Sequence, residues 1–191
     1  MTSPAARSHA APLPFLLRSF APGPASLALE GTVERSSLGP GDDRLTIRYQ
    51  LHDPEGLVQL APPAAAPRRR DALWQTTCFE CFLAAPGAEA YWEVNLSPSG
   101  DWNVYHLSGY REGLAAEPLI SSLPFTLERH GSGLQLQLSL ALAPLLACGQ
   151  PLDLGITAVL ALADGSTSFW ALLHPGVEAD FHRREGFVLR L

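Results

Sequence analysis

Apolar and polar residues alternate with period two along most of this chain, and that feature most narrows what it can fold into. "SLALEGTV" puts Leu27, Leu29, Gly31 and Val33 on one side, and "RLTIRYQL" does the same with Leu45, Ile47, Tyr49 and Leu51. The pattern breaks from His52 to Ala72, a Pro- and Ala-rich stretch that reads as a long irregular loop around a short strand at Leu57 to Leu60. Strands resume over Trp74 to Leu83, Tyr91 to Ser97 and Trp102 to Ser108. They continue through "PFTLER", "GLQLQLSL", "LDLGITAVLAL", "TSFWALL" and "GFVLRL". "ALAPLLACG" is the one stretch that reads as a helix, short, with Gly149 as its stop. Ten or so strands and one short helix predict an all-β chain folded as a single antiparallel β-sandwich.

The 191 residues, 47% hydrophobic and 17% charged, suit one core, so a second large domain is not expected. The first 14 residues, with Pro4, Pro12 and Pro14, read as a flexible tail ahead of a domain over 15–191. A net charge of -6 leaves no basic stripe for a phosphate backbone, which argues against a nucleic-acid partner. Arg68, Arg69 and Arg70 form the only dense positive run, and they read as a solvated loop. Nothing approaches the roughly 18 consecutive apolar residues of a membrane span, and the prolines near the start interrupt any secretory apolar region. Three cysteines, Cys78, Cys81 and Cys148, imply no disulfide framework, in agreement with a cytoplasmic protein.

"CFECFLAAPGAEAYWEVNLSPSGDWNVYHLSGY", from Cys78, reads as three strands joined by two turns. Centring a two-residue turn on Ser99-Gly100 pairs Asn95 with Val104 and Glu93 with His106. The preceding loop pairs Glu80 with Glu93 and Cys78 with Asn95. One face then carries Phe79, Cys81, Leu83, Trp92, Val94, Leu96, Tyr105 and Leu107, which is core. The other carries Glu80, Glu93, Asn95, Trp102, Val104 and His106, with charges at its middle and aromatics at its ends. Two carboxylates facing each other repel by about 0.2–1 kcal/mol when exposed and by more when desolvated. Their compensation would come from protonated His106, an arginine from another segment, a divalent cation or ligand hydroxyls.

Other features carry less. "CFEC" has redox or zinc spacing, but residues three apart on a strand lie on opposite faces, so two separate buried cysteines are expected. His174, Asp180 and His182 could supply metal ligands, although a loop whose histidines satisfy backbone groups explains them as well. A tryptophan beside carboxylates suits a sugar, because the ring packs on the apolar face of a pyranose while polar groups take its hydroxyls. Trp74 and Trp102 fall on or beside the polar face, and Trp170 cannot be placed by alternation. Glu80 and Glu93 would also meet the ~5–5.5 Å separation of a retaining glycosidase, as any directly opposed pair does. No nucleophile elbow, phosphate-binding glycine loop or HExxH is present.

"LWQTTCFECFL", "YWEVNLSPSGDWNVYHLSGYR" and the late "FWALLHP…DFHRREGF" together resemble the DOMON-like proteins related to family 9 carbohydrate-binding modules. The resemblance runs from about Phe15 to Leu191, and the middle block is its specific part. It implies a jelly-roll-like sandwich whose concave sheet binds a small molecule, with Glu80, Glu93 and Asn95 as polar partners, Trp74 and Trp170 as platforms, and calcium as a structural ion. Haem-binding members of the wider superfamily use a methionine and a histidine, and the only methionine here is Met1. The expectation is therefore a non-catalytic domain that binds a carbohydrate or sugar-like ligand through Glu80, Glu93, Asn95, Trp102, His106, Trp74 and Trp170, with no catalytic or metal-ligating residue assigned. The alternatives are a glycoside-acting enzyme using Glu80 and Glu93, or a haem or metal carrier.

Overall fold

A computed structural model describes residues 8–9, 11–37 and 41–191. Among the described residues fourteen strands follow in chain order: β1 (Ser8–His9), β2 (Leu13–Leu16), β3 (Arg18–Ser19), β4 (Ala28–Ser37), β5 (Asp43–His52), β6 (Cys78–Ala84), β7 (Tyr91–Leu96), β8 (Trp102–Leu107), β9 (Ala115–Ala116), β10 (Phe125–His130), β11 (Gly133–Ala141), β12 (Asp153–Ala161), β13 (Thr167–Ala171) and β14 (Leu189–Arg190). They form two antiparallel sheets. The first runs β1-β4-β5-β11-β10, with β2 also on β4; the second runs β3-β13-β12-β6-β7-β8-β9, with β14 on the end of β12. This is the β-sandwich that alternation predicts. Among the described residues no helix is long and apolar enough to cross a membrane.

The core lies between the sheets, as two half-buried faces require. Leu45, Ile47, Tyr49 and Leu51 of β5 and Leu134, Leu136, Leu138 and Leu140 of β11 meet Phe79, Cys81 and Leu83 of β6, Val94 and Leu96 of β7, and Ile156 and Leu160 of β12. The Tyr49 hydroxyl crosses that core and donates to the Glu80 carbonyl at 2.6 Å, tying the first sheet to the middle of the second.

Three expectations are corrected. Residues 142–149 form two separate turns and not a helix: the Leu145 and Leu146 N–H groups both reach the Leu142 carbonyl at 2.8 Å, and a second turn is closed by the Gln150 N–H on the Ala147 carbonyl at 3.0 Å. Pro144 supplies no donor, and a segment this short cannot offset helix nucleation. Of the stretch expected as a tail, residues 1–7 and 10 lie outside the described residues, whereas β1 pairs with Ser36 and Ser37 and β2 lies along Glu30 to Val33. The third correction is the register of β7 and β8. Leu96 pairs with Trp102 and Asn95 with Asn103, one residue away from the two-residue-turn register. The loop has three residues, Pro98 to Gly100, closed by Ser97 N–H to Asp101 O and Gly100 N–H to Ser97 O, each 2.9 Å. A one-residue slip exchanges every side chain between faces.

Gly100 sits in this loop at φ 95°, where an added Cβ would also lie 2.9 Å from Pro67 Cγ. Gly100→Ala is expected to cost about 1–2 kcal/mol in denaturant unfolding, the usual penalty of a left-handed residue with a side chain. An unchanged midpoint would show that this turn does not need its glycine.

Candidate functional site

The face of the second sheet that points away from the sandwich core is buried too. β6 presents Cys78, Glu80 and Phe82 there, and β7 presents Tyr91, Glu93 and Asn95. β8 adds Asn103, Tyr105 and Leu107, β12 adds Thr157 and Val159, and β13 adds Phe169. Phe82 explains the burial: an aromatic in the middle of a polar face needs a cover. Phe181 and Phe187, from the segment after β13, pack on it with Tyr91 at ring distances of 5.7–6.5 Å.

Glu80 and Glu93 lie under that cover at 2% and 4% exposure. Glu80 sits opposite Asn95 on one side and Thr157 on the other, so the two carboxyls are diagonal neighbours and not the directly opposed pair expected. Glu93 accepts a hydrogen bond from Asn95 Nδ2 at 2.8 Å. Glu80 accepts one at 3.4 Å from the Thr157 hydroxyl, and its Oε1 has no partner. Burial, and then the charge of Glu93, push the Glu80 carboxyl well above the usual carboxylate range. Burial also raises Glu93, against the opposing pull of Asn95 and Arg111. Cys78, whose thiol lies 3.7 Å from Asn95 Oδ1, is kept protonated, by burial first and Glu80 second.

Above this floor is a cavity of about 300 Å³. Trp74, Phe169 and Phe181 wall it, Leu107, Leu114, Val159 and Ala179 complete the apolar lining, and Glu93, Arg111 and His182 are its polar groups. Trp74 is carried by a 3-10 turn, Leu73–Gln75, and leans edge-on to Tyr105 with centroids 5.8 Å apart. Arg111 Nη2 is ion-paired with Asp180 Oδ1 at 2.9 Å, and Asp180 also accepts the Tyr110 hydroxyl and the His182 N–H. His182 Nδ1 shares a 2.9 Å hydrogen bond with the Tyr91 hydroxyl, and burial, then Arg111, lower the imidazole to about 4, so it is neutral at pH 7. Among the described residues two non-glycine residues have positive φ: Arg111, in the cavity wall, at 56°, and Ala72, two residues before Trp74, at 58°. Such strained backbone gathers at ligand sites, where the surrounding structure holds it in place.

Of the residues singled out in the sequence, this face brings together Glu80, Glu93 and Asn95, with Trp74 at the rim. Trp102 and His106 are on the other side. Trp102 is in the sandwich core with Arg69 4.6 Å over its ring, and His106 lies 5.5 Å from the ring of Trp92. Trp170 is core as well, opposite Ala158. Arg69 belongs to no solvated run. It donates to Asn103 Oδ1 and to the carbonyls of Val104, Glu117 and Ile120, which ties the Pro/Ala loop to β8. Phe169, Phe181 and Arg111 were missed as site residues, and His182 was weighed only as a metal ligand. The signal for a cover was Phe82, an apolar residue at a polar-face position. His174 bonds the Arg18 carbonyl through Nε2 at 2.8 Å, away from Glu80 and Glu93. Among the described residues no group of three or more His, Cys, Asp or Glu side chains is gathered as a cation needs, so the donor set does not fit the calcium that the resemblance implies.

The architecture is shared with known structures. A candidate carbohydrate-binding protein of Bacteroides uniformis superposes with a TM-score of 0.61 over 84% of this chain and 76% of that one, at 12% identity. What the two share is the fold. Family 9 carbohydrate-binding modules of Caldicellulosiruptor kristjanssonii are also matched, one in complex with cellotriose and one with glucose. Their TM-scores are 0.45 and 0.43, at 11% identity, over 78% of this chain and 67% and 68% of theirs. No family model and no curated protein sequence matches the chain.

Proposed function

We propose that the chain is a non-catalytic binding domain whose cavity takes a carbohydrate or a sugar-like small molecule. The observation that carries this is the cavity's composition: three aromatic walls, Trp74, Phe169 and Phe181, around a few polar groups, Glu93, Arg111 and His182, on a rigid sheet. Flat aromatic surface suits the apolar face of a sugar ring, and the convergent polar groups suit its hydroxyls. The resemblance of the middle block to the DOMON-like relatives of family 9 carbohydrate-binding modules supports the same reading. So does the fold held in common with a candidate carbohydrate-binding protein. An enzyme that cleaves glycosides with Glu80 and Glu93 finds no such support, because Glu93 lines the cavity and Glu80 does not.

The test is a titration of the folded protein with a panel of mono- and oligosaccharides, following tryptophan fluorescence. A saturable change that disappears in Trp74→Phe is expected, since Trp74 is the one tryptophan in the cavity wall. Glu93→Ala is expected to weaken binding at least about tenfold, near 1.4 kcal/mol, with the far-UV circular dichroism unchanged. Silence across the panel would reassign this face to a structural or partner-binding role.

A further inference from the structure

The charges around the cavity do not balance. Arg111 is the one guanidinium in the wall, and it is committed to Asp180 at 2.9 Å. His182 brings no charge at neutral pH. Against them stand Glu93 in the wall and Glu80 on the adjacent strand, and among the described residues neither has a cation in ion-pairing reach. Glu93 has one amide donor, Glu80 has one long hydroxyl contact and the neighbouring Cys78 thiol, and Glu80 Oε1 is buried without a hydrogen bond of ordinary geometry. Three carboxyls share one guanidinium. Buried carboxylates are ordinarily paired or amply hydrogen-bonded, because desolvating the charge is costly otherwise.

We propose that the ligand supplies the missing cation: the cavity takes a ring compound bearing a protonated amine, an aminated sugar being the class that satisfies the aromatic walls and the Glu93 floor together. This rests on the sugar reading above and narrows it. The ring packs on Trp74, Phe169 or Phe181, whose faces also attract a nearby cation, and the ammonium donates to Glu93. Glu80 does not reach the cavity and acts as a positioning residue: once binding has driven the pair's proton off, its charge adds negative potential behind Glu93. A neutral sugar finds the same walls but leaves the carboxyl pair without a counter-ion.

Proton linkage follows from the same geometry. The groups facing Glu93 are Glu80 and Cys78 from β6, Tyr91 and Asn95 on its own strand, Tyr105 from β8, Thr157 from β12 beyond Glu80, and Arg111, Asp180 and His182 from the covering loops. None of them is a free cation. Without ligand the pair holds on to a proton; an ammonium favours the ionised form, so binding drives that proton off. Affinity then rises with pH as the pair ionises and falls again as the amine loses its own proton.

The experiment is isothermal titration of the protein with D-glucosamine, D-galactosamine and D-mannosamine, each against its parent hexose and its N-acetyl derivative, in phosphate and in Tris. At least one amine is expected to bind tenfold or more tightly than both its neutral counterparts. Its enthalpy should differ between the buffers in the sense of proton release. Glu93→Gln should bring amine and hexose within about twofold of each other and abolish the buffer dependence. Neutral sugars binding as tightly as the amines, or an amine preference that survives Glu93→Gln, would overturn the cation assignment and leave sugar binding standing. No binding by any member of the panel to folded protein would overturn both.

Discussion

Arg35→Ala is expected to lower the unfolding free energy by about 3–5 kcal/mol, the range seen when a buried charge loses its partner. The guanidinium grips Asp43 in a fork, Nε to Oδ1 at 2.9 Å and Nη2 to Oδ2 at 2.6 Å, and its remaining nitrogen donates to the carbonyls of Gln150 and Leu191. Those contacts join β4 and β5 to the last residue of the chain. The Asp43 side chain is 1% exposed, and removing the arginine leaves its carboxylate with the Gly149 N–H as its one remaining donor among the described residues. Hydrogen bonding to Arg35 holds the Asp43 carboxyl below the usual range despite its burial. Its contribution to stability is therefore present above the ordinary carboxylate pKa and is lost as pH falls through the lowered one. In the variant that dependence reverses, because an unpaired buried carboxyl is raised and destabilises as pH increases. Urea unfolding of both proteins at pH 4 and pH 7 reads this directly: the deficit of Arg35→Ala should be larger at pH 7. Arg35→Lys, which restores charge without the fork, should fall between the two. A deficit below 1 kcal/mol at both pH values would mean that the pair is dispensable.

The strands were legible because alternation is a local property, and so was the polar stripe of Glu80, Glu93 and Asn95. A register error between β6 and β7 does not disturb that stripe: the pairing is Leu83 with Trp92, two residues from the expected Leu83 with Ala90, and a slip of two returns each side chain to the same face. The β7–β8 slip is one residue, and it moved Trp102 and His106 off the site. Its cause was readable in "SPSGD", since a proline followed two residues later by a positive-φ glycine suits a three-residue loop as well as a two-residue one. Trp170 was beyond pattern reasoning, because β13 is apolar on both faces. The cover of the site was not legible either. Arg111, Phe181 and His182 lie 18 to 89 residues from Glu93 in sequence, on irregular segments without period, and only tertiary packing brings them to it.

Asp43 and the Glu80–Glu93 pair are buried in different ways, and the difference separates scaffold from site. Asp43 is neutralised by Arg35, whereas Glu80 and Glu93 share a buried face with no cation in ion-pairing reach, and burial raises both carboxyls. A pair of that kind costs stability whenever the pH favours its ionisation. Since the folded carboxyls titrate above their unfolded values, the folded state binds more protons than the unfolded one in that interval, and stability falls as pH rises through it. Each pH unit over which the excess is one proton costs about 1.4 kcal/mol. His182 has the opposite sign, between its folded value of about 4 and its ordinary one of 6.5, and its contribution cancels when a Glu80 variant is compared with the wild-type protein at the same pH. Glu80→Gln resembles the protonated acid in size and polarity and cannot ionise. It is expected to match the wild-type protein at pH 5 and to become more stable than it as pH rises, by about 1.4 kcal/mol for each pH unit over which Glu80 stays protonated in the folded protein, in denaturant unfolding at closely spaced pH values up to 8. A stability difference that stays constant from pH 5 to 8 would mean that Glu80 is ionised in the folded protein and has found a donor. A substitution that stabilises a protein by removing one of its own buried acids marks a place where the fold gives up stability to keep a particular chemistry, and at this cavity the chemistry that compensates a carboxylate is a cation.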